Sequence, residues 1–296
     1  MLALPQRLLA RAAGRLWSRL SEGTDISGAC IPILCYHFIS DAPYAISPAR
    51  FAAQMRWLRR RGYESVGLDA LLDAGRTRSR RRSVVITFDD GLADLPGNAL
   101  PELLACGFRA TVFFSPALAG RTMWYSLRER AFVAAPHNGA KRLDFMSWEQ
   151  AQSMAAVGVS FQSHAWSHPR LSALPEPEIA EQLSRSRHAL ESRLGEPVRF
   201  LSYPFGDFDC RVQHIAASLG YAAAVTTIPG FNSTRSDPYA LRRVAPNPGD
   251  DLSSFAFKLS PVAGWCYRWA KHGRADAYVE PGLGMRGPGL RDNDRT

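Results

Sequence analysis

From Ile31 to about Thr226, short apolar runs of strand length alternate with amphipathic stretches of helix length. The strand candidates are Ile31–Tyr36, Tyr63–Val66, Val84–Phe88, Arg109–Phe114, Val159–Gln162, Arg199–Tyr203 and Tyr221–Thr226. Between them, Ser47-Pro48 caps a helix running to about Arg61, with Phe51, Met55 and Leu58 on its apolar face. Further helices are expected over Leu68–Ala74, Pro96–Cys106, Trp148–Val157, Glu176–Leu194 and Arg211–Leu219. Strands separated by helices in this way are parallel, because each crossover returns the chain to the same end of the sheet. The expected fold class is α/β, a distorted or incomplete (β/α) barrel, in which side chains at the C-terminal ends of the strands converge on one pocket. Residues 120–145 break the pattern and read as an insertion.

The residues that follow the strands carry chemistry. His37 follows the first, Asp89-Asp90-Gly91 the third, His164 a later one, and Pro204-Phe205-Gly206 another. Asp90, His164 and His168 together offer one oxygen and two nitrogen ligands, a catalytic divalent-metal set with positions left for water and substrate. A metal there would polarise a carbonyl and acidify water. Asp89 cannot readily share the face of Asp90 and is left free as a general base. Alone, a paired aspartate is usually a solvated turn and an HxxxH pair usually incidental; here both occur, each beside a Gly or Pro turn.

The segments Thr87-Phe88-Asp89-Asp90-Gly91 and His164-Ala-Trp-Ser-His168-Pro169 resemble those of the polysaccharide deacetylase (NodB-homology) superfamily, carbohydrate esterase family 4, over roughly residues 31–245. The resemblance implies Asp89 as catalytic base, Asp90, His164 and His168 as ligands of a divalent metal (Zn2+, with Co2+ or Ni2+ as alternatives), and an N-acetylated glycan as substrate. The family's third motif, Arg-x-Pro-Tyr-Gly, corresponds to Ser202-Tyr203-Pro204-Phe205-Gly206. Phe205 would then lend its backbone N–H to the oxyanion. Ser202 stands where the Arg that tethers the base is expected, which puts that tether in doubt. The late stretch Leu241-Arg242-Arg243-Val244 lacks the usual catalytic His, whereas Cys35-Tyr36-His37 supplies one early. That order is similar to the poly-β-1,6-N-acetylglucosamine deacetylase subgroup and implies His37 as the general acid. Read without the resemblance, His37 is more readily a structural strand-end histidine than a catalytic one.

Other positions have two readings each. Asp94 either orients the Asp89–Asp90 loop or begins the next helix. Trp166 packs or contacts sugar, with packing favoured. Trp124 and Tyr125 are weaker candidates for a sugar subsite, and His137, His188 and His214 read as surface residues. The same site residues also fit a hydrolase of a non-sugar C–N amide bond. Retention of the whole core set argues against a non-catalytic glycan-binding relative.

The chain is organised as a basic amphipathic N-terminal helix (1–28), a deacetylase domain (29–250) and a C-terminal extension (251–296) with a disorder-prone end. Arg7, Arg11, Arg15 and Arg19 make a stripe that can rest on an anionic membrane surface, or simply face solvent. The net charge of +9 favours anionic partners. No nucleic-acid motif accompanies it, so nucleic acid is not an expected partner. Five dispersed cysteines form no disulfide or zinc–thiolate pattern, and Cys35 and Cys106 read as small core residues. These features, and arginines that interrupt any signal-like apolar stretch near the start, point to the cytoplasm, with a peripheral membrane contact open to the first helix.

Overall fold

The computed structural model describes residues 31–72, 82–126, 131–134, 141–233, 236–260 and 262–263. The segment expected to form the N-terminal helix, residues 73–81, His137 and residues 264–296 lie outside the described residues.

Seven parallel strands form the core: β1 (Ile33–Tyr36), β3 (Arg82–Phe88), β4 (Thr111–Phe114), β8 (Ser160–Ser163), β9 (Phe200–Ser202), β10 (Ala223–Pro229) and β11 (Leu241–Arg243), hydrogen-bonded in that order. A short strand, β2 (Tyr63–Ser65), adds to β3. The ring is drawn shut between its first and last strands by a parallel bridge at Leu34 and Val244, where Cys35 N–H donates to Val244 and Val244 N–H donates to Ile33. The expected (β/α) barrel is therefore present and nearly closed. The insertion is a three-stranded antiparallel sheet, β6-β5-β7, from β5 (Thr122–Ser126), β6 (Ala131–Val133) and β7 (Lys141–Asp144).

Helix α1 (Pro48–Arg60) starts where the Ser-Pro signal puts it. The Ser47 hydroxyl accepts from Arg50 N–H, and Phe51, Met55 and Leu58 are fully buried. After α2 (Asp69–Leu72), the helix expected over 96–106 is instead two: α3 (Leu95–Asn98) and α4 (Leu100–Cys106). Pro101 explains the break, since it has no N–H to donate and its ring collides with the carbonyl four residues back. The remaining helices are α5 (Trp148–Ala156), α6 (Glu176–Leu194), α7 (Cys210–Ser218) and α8 (Leu252–Lys258). Phe255 of α8 is buried edge-on against Trp57 of α1.

The period of two along each strand sorts the barrel interior into levels. Ile33, Val85, Phe113, Phe200, Ala223, Val225 and Leu241 form one apolar cluster, a plug contributed by nearly every strand. One step further along the same inward rows stand Cys35, Thr87, Ser202 and Arg243, and one step beyond those, His37 and Asp89. The strands thus turn from apolar to polar towards their C-terminal ends, and the polar layer sits on a packed floor.

Candidate active site

Four non-glycine residues have left-handed backbone among the described residues: Asp90 (φ 70°), Ala165 (57°), His168 (61°) and Phe205 (61°). All are in the three loops that follow β3, β8 and β9. Such conformations cost about 1–3 kcal/mol each and persist where surrounding structure enforces them, commonly at functional sites. Gly91 continues the turn at φ 73°, where a β-carbon would lie 2.3 Å from the Phe114 ring. Only glycine permits that approach, and it lets Asp89 and Asp90 diverge.

Asp90 faces the histidines. Its Oδ1 lies 3.3 Å from His164 Nε2 and 3.2 Å from His168 Nε2, all nearly sealed from solvent. His164 Nδ1 lies 2.7 Å from the Ser202 carbonyl, an acceptor, so Nδ1 donates. A neutral His164 therefore turns the lone pair of Nε2 towards a carboxylate oxygen. Asp90 Oδ1 and His164 Nε2 make no hydrogen bond although both are buried. Two facing acceptors require a cation between them. Burial lowers the basicity of His164, but the Asp90 and Asp89 carboxylates outweigh it and raise its pKa. Burial and the charge of His164 instead lower that of His168, so the pocket does not welcome two protons. A divalent ion resolves this. Ligand atoms about 2.0 Å from a tetrahedral zinc stand about 3.3 Å apart, the spacing seen. The Ser202 carbonyl that orients His164 is the outer support such ligands need.

Asp89 faces the other way and is bound to a guanidinium. Arg243 Nη1 donates to Oδ1 at 2.7 Å and Nη2 to Oδ2 at 2.6 Å, and the Ser202 hydroxyl adds a 3.1 Å bond to Oδ2. Burial pushes the Asp89 carboxyl up, but Arg243 more than reverses this and holds it at about 2. The tether left in doubt by Ser202 is therefore present, supplied by the last barrel strand. Arg243 is itself held by Thr226 O and Thr87 Oγ1, and its guanidinium lies over the Phe113 ring. Sequence reasoning noticed this stretch only for the His it lacks. The available signal was an arginine two residues after the inward-facing Leu241 of a strand.

His37 joins Asp89, its Nε2 4.0 Å from Oδ2. Burial alone would lower its pKa; a hydrogen bond to the Cys35 sulfur and the charges of the Asp90 and Asp89 carboxylates raise it well above its usual value. Cys35 is buried in the core as expected, and its Sγ also lies 3.9 Å from Asp89 Oδ2. Asp94 fits neither of its readings in full. It stands at the N-cap of α3 without capping it, and its Oδ2 accepts from Ile39 N–H at 2.8 Å, while Asn98 donates to Ile39 O. The pair thus clasps the peptide just beyond His37. Phe205 does reach the site, its ring edge-on to His168 at 4.5 Å and covered by Arg170.

Two aromatic candidates fall away. Tyr125 is buried among Phe38, Leu118, Leu143 and Phe145, where it cannot offer a sugar a face. Trp166 is half-buried with Arg185 over its ring. His188 and His214 are exposed, on α6 and α7.

A parallel barrel with a two-histidine, one-carboxylate set at its strand ends, and a separate carboxylate–imidazole pair beside it, is the equipment of a metal-assisted hydrolase. The polysaccharide deacetylase family pattern matches residues 76–224. The chain is 30% identical over 230 residues to YxkH of Bacillus subtilis, itself named for that family, covering 77% of this chain and 75% of the relative. Its fold matches IcaB of Ammonifex degensii (26% identity, TM-score 0.64, 78% of this chain and 98% of that one). It also matches the Streptococcus pyogenes deacetylase PplD (24% identity, TM-score 0.65, 78% and 99%). The chain belongs to the polysaccharide deacetylase family and is a carbohydrate deacetylase.

Proposed function

We propose that this protein removes N-acetyl groups from an amino-sugar glycan, using Asp90, His164 and His168 to hold a divalent metal, Asp89 as base and His37 as acid. The observation that supports this most directly is the division of two adjacent carboxylates, Asp90 turned to two imidazoles and Asp89 to a guanidinium. A metal in that set, with zinc the expected ion, supplies Lewis acidity to the acetamide carbonyl and makes water a better nucleophile.

The chain does the rest. Asp89, kept anionic and oriented by Arg243, accepts a hydrogen bond from the attacking water and takes its proton. His37, its affinity for protons raised, gives one to the departing amine, so the products are a free amino sugar and acetate. Opposite displacement of two neighbouring pKa values is how a site keeps a base and an acid ready together. The Phe205 N–H is the assigned oxyanion donor. The early position of His37 and the Tyr-Pro-Phe-Gly third motif favour a poly-β-1,6-N-acetylglucosamine-type exopolysaccharide. The cationic N-terminal segment favours a substrate met at a membrane surface from the cytoplasmic side.

The test is acetate release from N-acetylated oligosaccharides of varied linkage, after chelation and re-addition of zinc, cobalt or nickel. Asp89→Ala and Asp90→Ala should each abolish release in a folded protein; activity retained by either sinks the residue assignment. Liposome co-sedimentation with and without residues 1–25 tests the membrane contact.

A further inference from the structure

Besides the Asp90 set, a second group of buried ligand atoms lies within the barrel: Cys35 Sγ, a His37 ring nitrogen and an Asp89 carboxylate oxygen, all within 4.8 Å of one another. We propose that these three residues form a second, thiophilic metal site, and that occupancy by a zinc-like cation shuts the enzyme off by capturing its base and acid together. The binding half stands on the cluster alone. The inhibitory half rests on the roles assigned above to Asp89 and His37.

The spacing is close to what a metal needs. With a thiolate at about 2.3 Å and oxygen or nitrogen at about 2.0 Å, tetrahedral geometry separates sulfur from oxygen by about 3.5 Å and nitrogen from oxygen by about 3.3 Å. Cys35 Sγ stands 3.9 Å and His37 Nε2 4.0 Å from the same oxygen, Asp89 Oδ2, so contraction by roughly half an ångström brings these two pairs to ligand spacing, with Cys35 and His37 within 4.8 Å of each other. The arrangement is rigid on two sides. Cys35 and His37 are two residues apart and face inward from the end of β1, and Asp89 is fixed by Arg243 on the neighbouring rows. There is also a way in. A depression of about 240 Å³, counted with its open mouth, is lined by Cys35, His37, Tyr44, Ile46, Pro246 and Pro248.

The ligand types set the selectivity and the rank of the site. A thiolate beside an imidazole favours zinc, cobalt or cadmium over magnesium or calcium. The Cys35 thiol is held protonated by burial and His37 holds its own proton tightly, so the cation must displace both protons to solvent, forming a metal–sulfur bond as the S–H bond breaks and a metal–nitrogen bond as the N–H bond breaks. Asp89 Oδ2 already accepts from Arg243 and Ser202. Of these the Ser202 hydroxyl can turn away, while the Arg243 charge stays and opposes the cation. This site therefore fills after the Asp90 set, at higher metal concentration. The Asp90 set contains no sulfur, which makes the two sites separable by spectroscopy.

The experiment is a cobalt titration of the metal-stripped full chain in which Cys30, Cys106, Cys210 and Cys266 are serine. The first equivalent should restore deacetylase activity without a thiolate-to-cobalt charge-transfer band. Further cobalt should bring that band in while activity falls at least tenfold. In Cys35→Ala the band should be missing, and that variant's own activity at excess cobalt should stay within twofold of its value at one equivalent. Should Cys35→Ala fail to fold, His37→Gln, which keeps the thiol, should need at least tenfold more cobalt to produce the band. No band at millimolar cobalt, a band that survives Cys35→Ala, or equal inhibition of Cys35→Ala overturns the proposal. A band with no acetate release at any cobalt level would leave the metal site standing and overturn the deacetylase assignment instead.

Discussion

Asp89 and Asp90 are consecutive, nearly equally buried and chemically identical, yet their surroundings are opposite. Asp89 meets a fixed positive charge that cannot leave; Asp90 meets two imidazoles whose facing nitrogens call for a cation that can. The left-handed turn at Asp90-Gly91 separates them, sending one side chain to the β11 side of the barrel and the other to the β8 side. A carboxylate's role here is set less by its sequence motif than by which strand ends it is turned towards.

The largest test of that contrast is to neutralise each member. Asp90→Asn should lower zinc affinity by at least a hundredfold in competition with a chromogenic chelator. Asp89→Asn should leave zinc binding within a few-fold while removing at least a thousandfold of kcat. Equal effects on zinc would erase the distinction.

Breaking the ion pair from its other side comes next. Arg243→Met strands a buried carboxylate, which typically costs about 3–5 kcal/mol. Urea unfolding should show that loss, and Arg243→Met with Asp89→Asn should recover part of it. Acid unfolding of the metal-free protein gives a smaller signal. With a folded pKa of about 2 against an ordinary 3.8, Asp89 contributes about 2 kcal/mol above pH 3.8, lost as pH falls towards 2. That component should vanish in Arg243→Met.

Asp94 gives the smallest effect, of opposite sign. Burial raises its pKa to about 6, so the folded chain holds this proton more tightly than the unfolded one. Its contribution is fully present below pH 3.8 and lost as pH rises through 6. Asp94→Asn, which keeps an acceptor for Ile39 N–H, should be more stable than the parent at pH 8, by on the order of 1–2 kcal/mol. That advantage should be gone by pH 4.

The elements that could be read from sequence were those whose cause is local. Ser47-Pro48 fixes the start of α1, and alternation of strand and helix places His37, Asp89, Asp90 and His164 at strand ends. The features that escaped depend on distant partners. Arg243 finds Asp89 across 154 positions and Asp94 finds Ile39 across 55, and nothing beside either residue announces its mate. The burial of Cys35 was legible but its contact with Asp89 was not, because its apolar neighbours in sequence alternate with it across the strand and describe the opposite face. The Pro101 break was legible in principle, since proline acts on the carbonyl of its own turn.

The bridge between Leu34 and Val244 has a consequence for how activity is acquired. His37 follows the first strand of the ring, which pairs directly with the strand that leads into Asp89, whereas Arg243 lies on the last strand and reaches Asp89 only once the ring closes. A chain emerging from a ribosome would hold the Asp90 set, and His37 beside Asp89, long before Arg243 is added. A fragment ending before Leu241 could carry Asp90, His164 and His168, but not the Arg243 that holds Asp89. If Asp89 is the base, catalytic competence reports that the barrel has been completed, and half-made or clipped molecules should be silent towards the glycan.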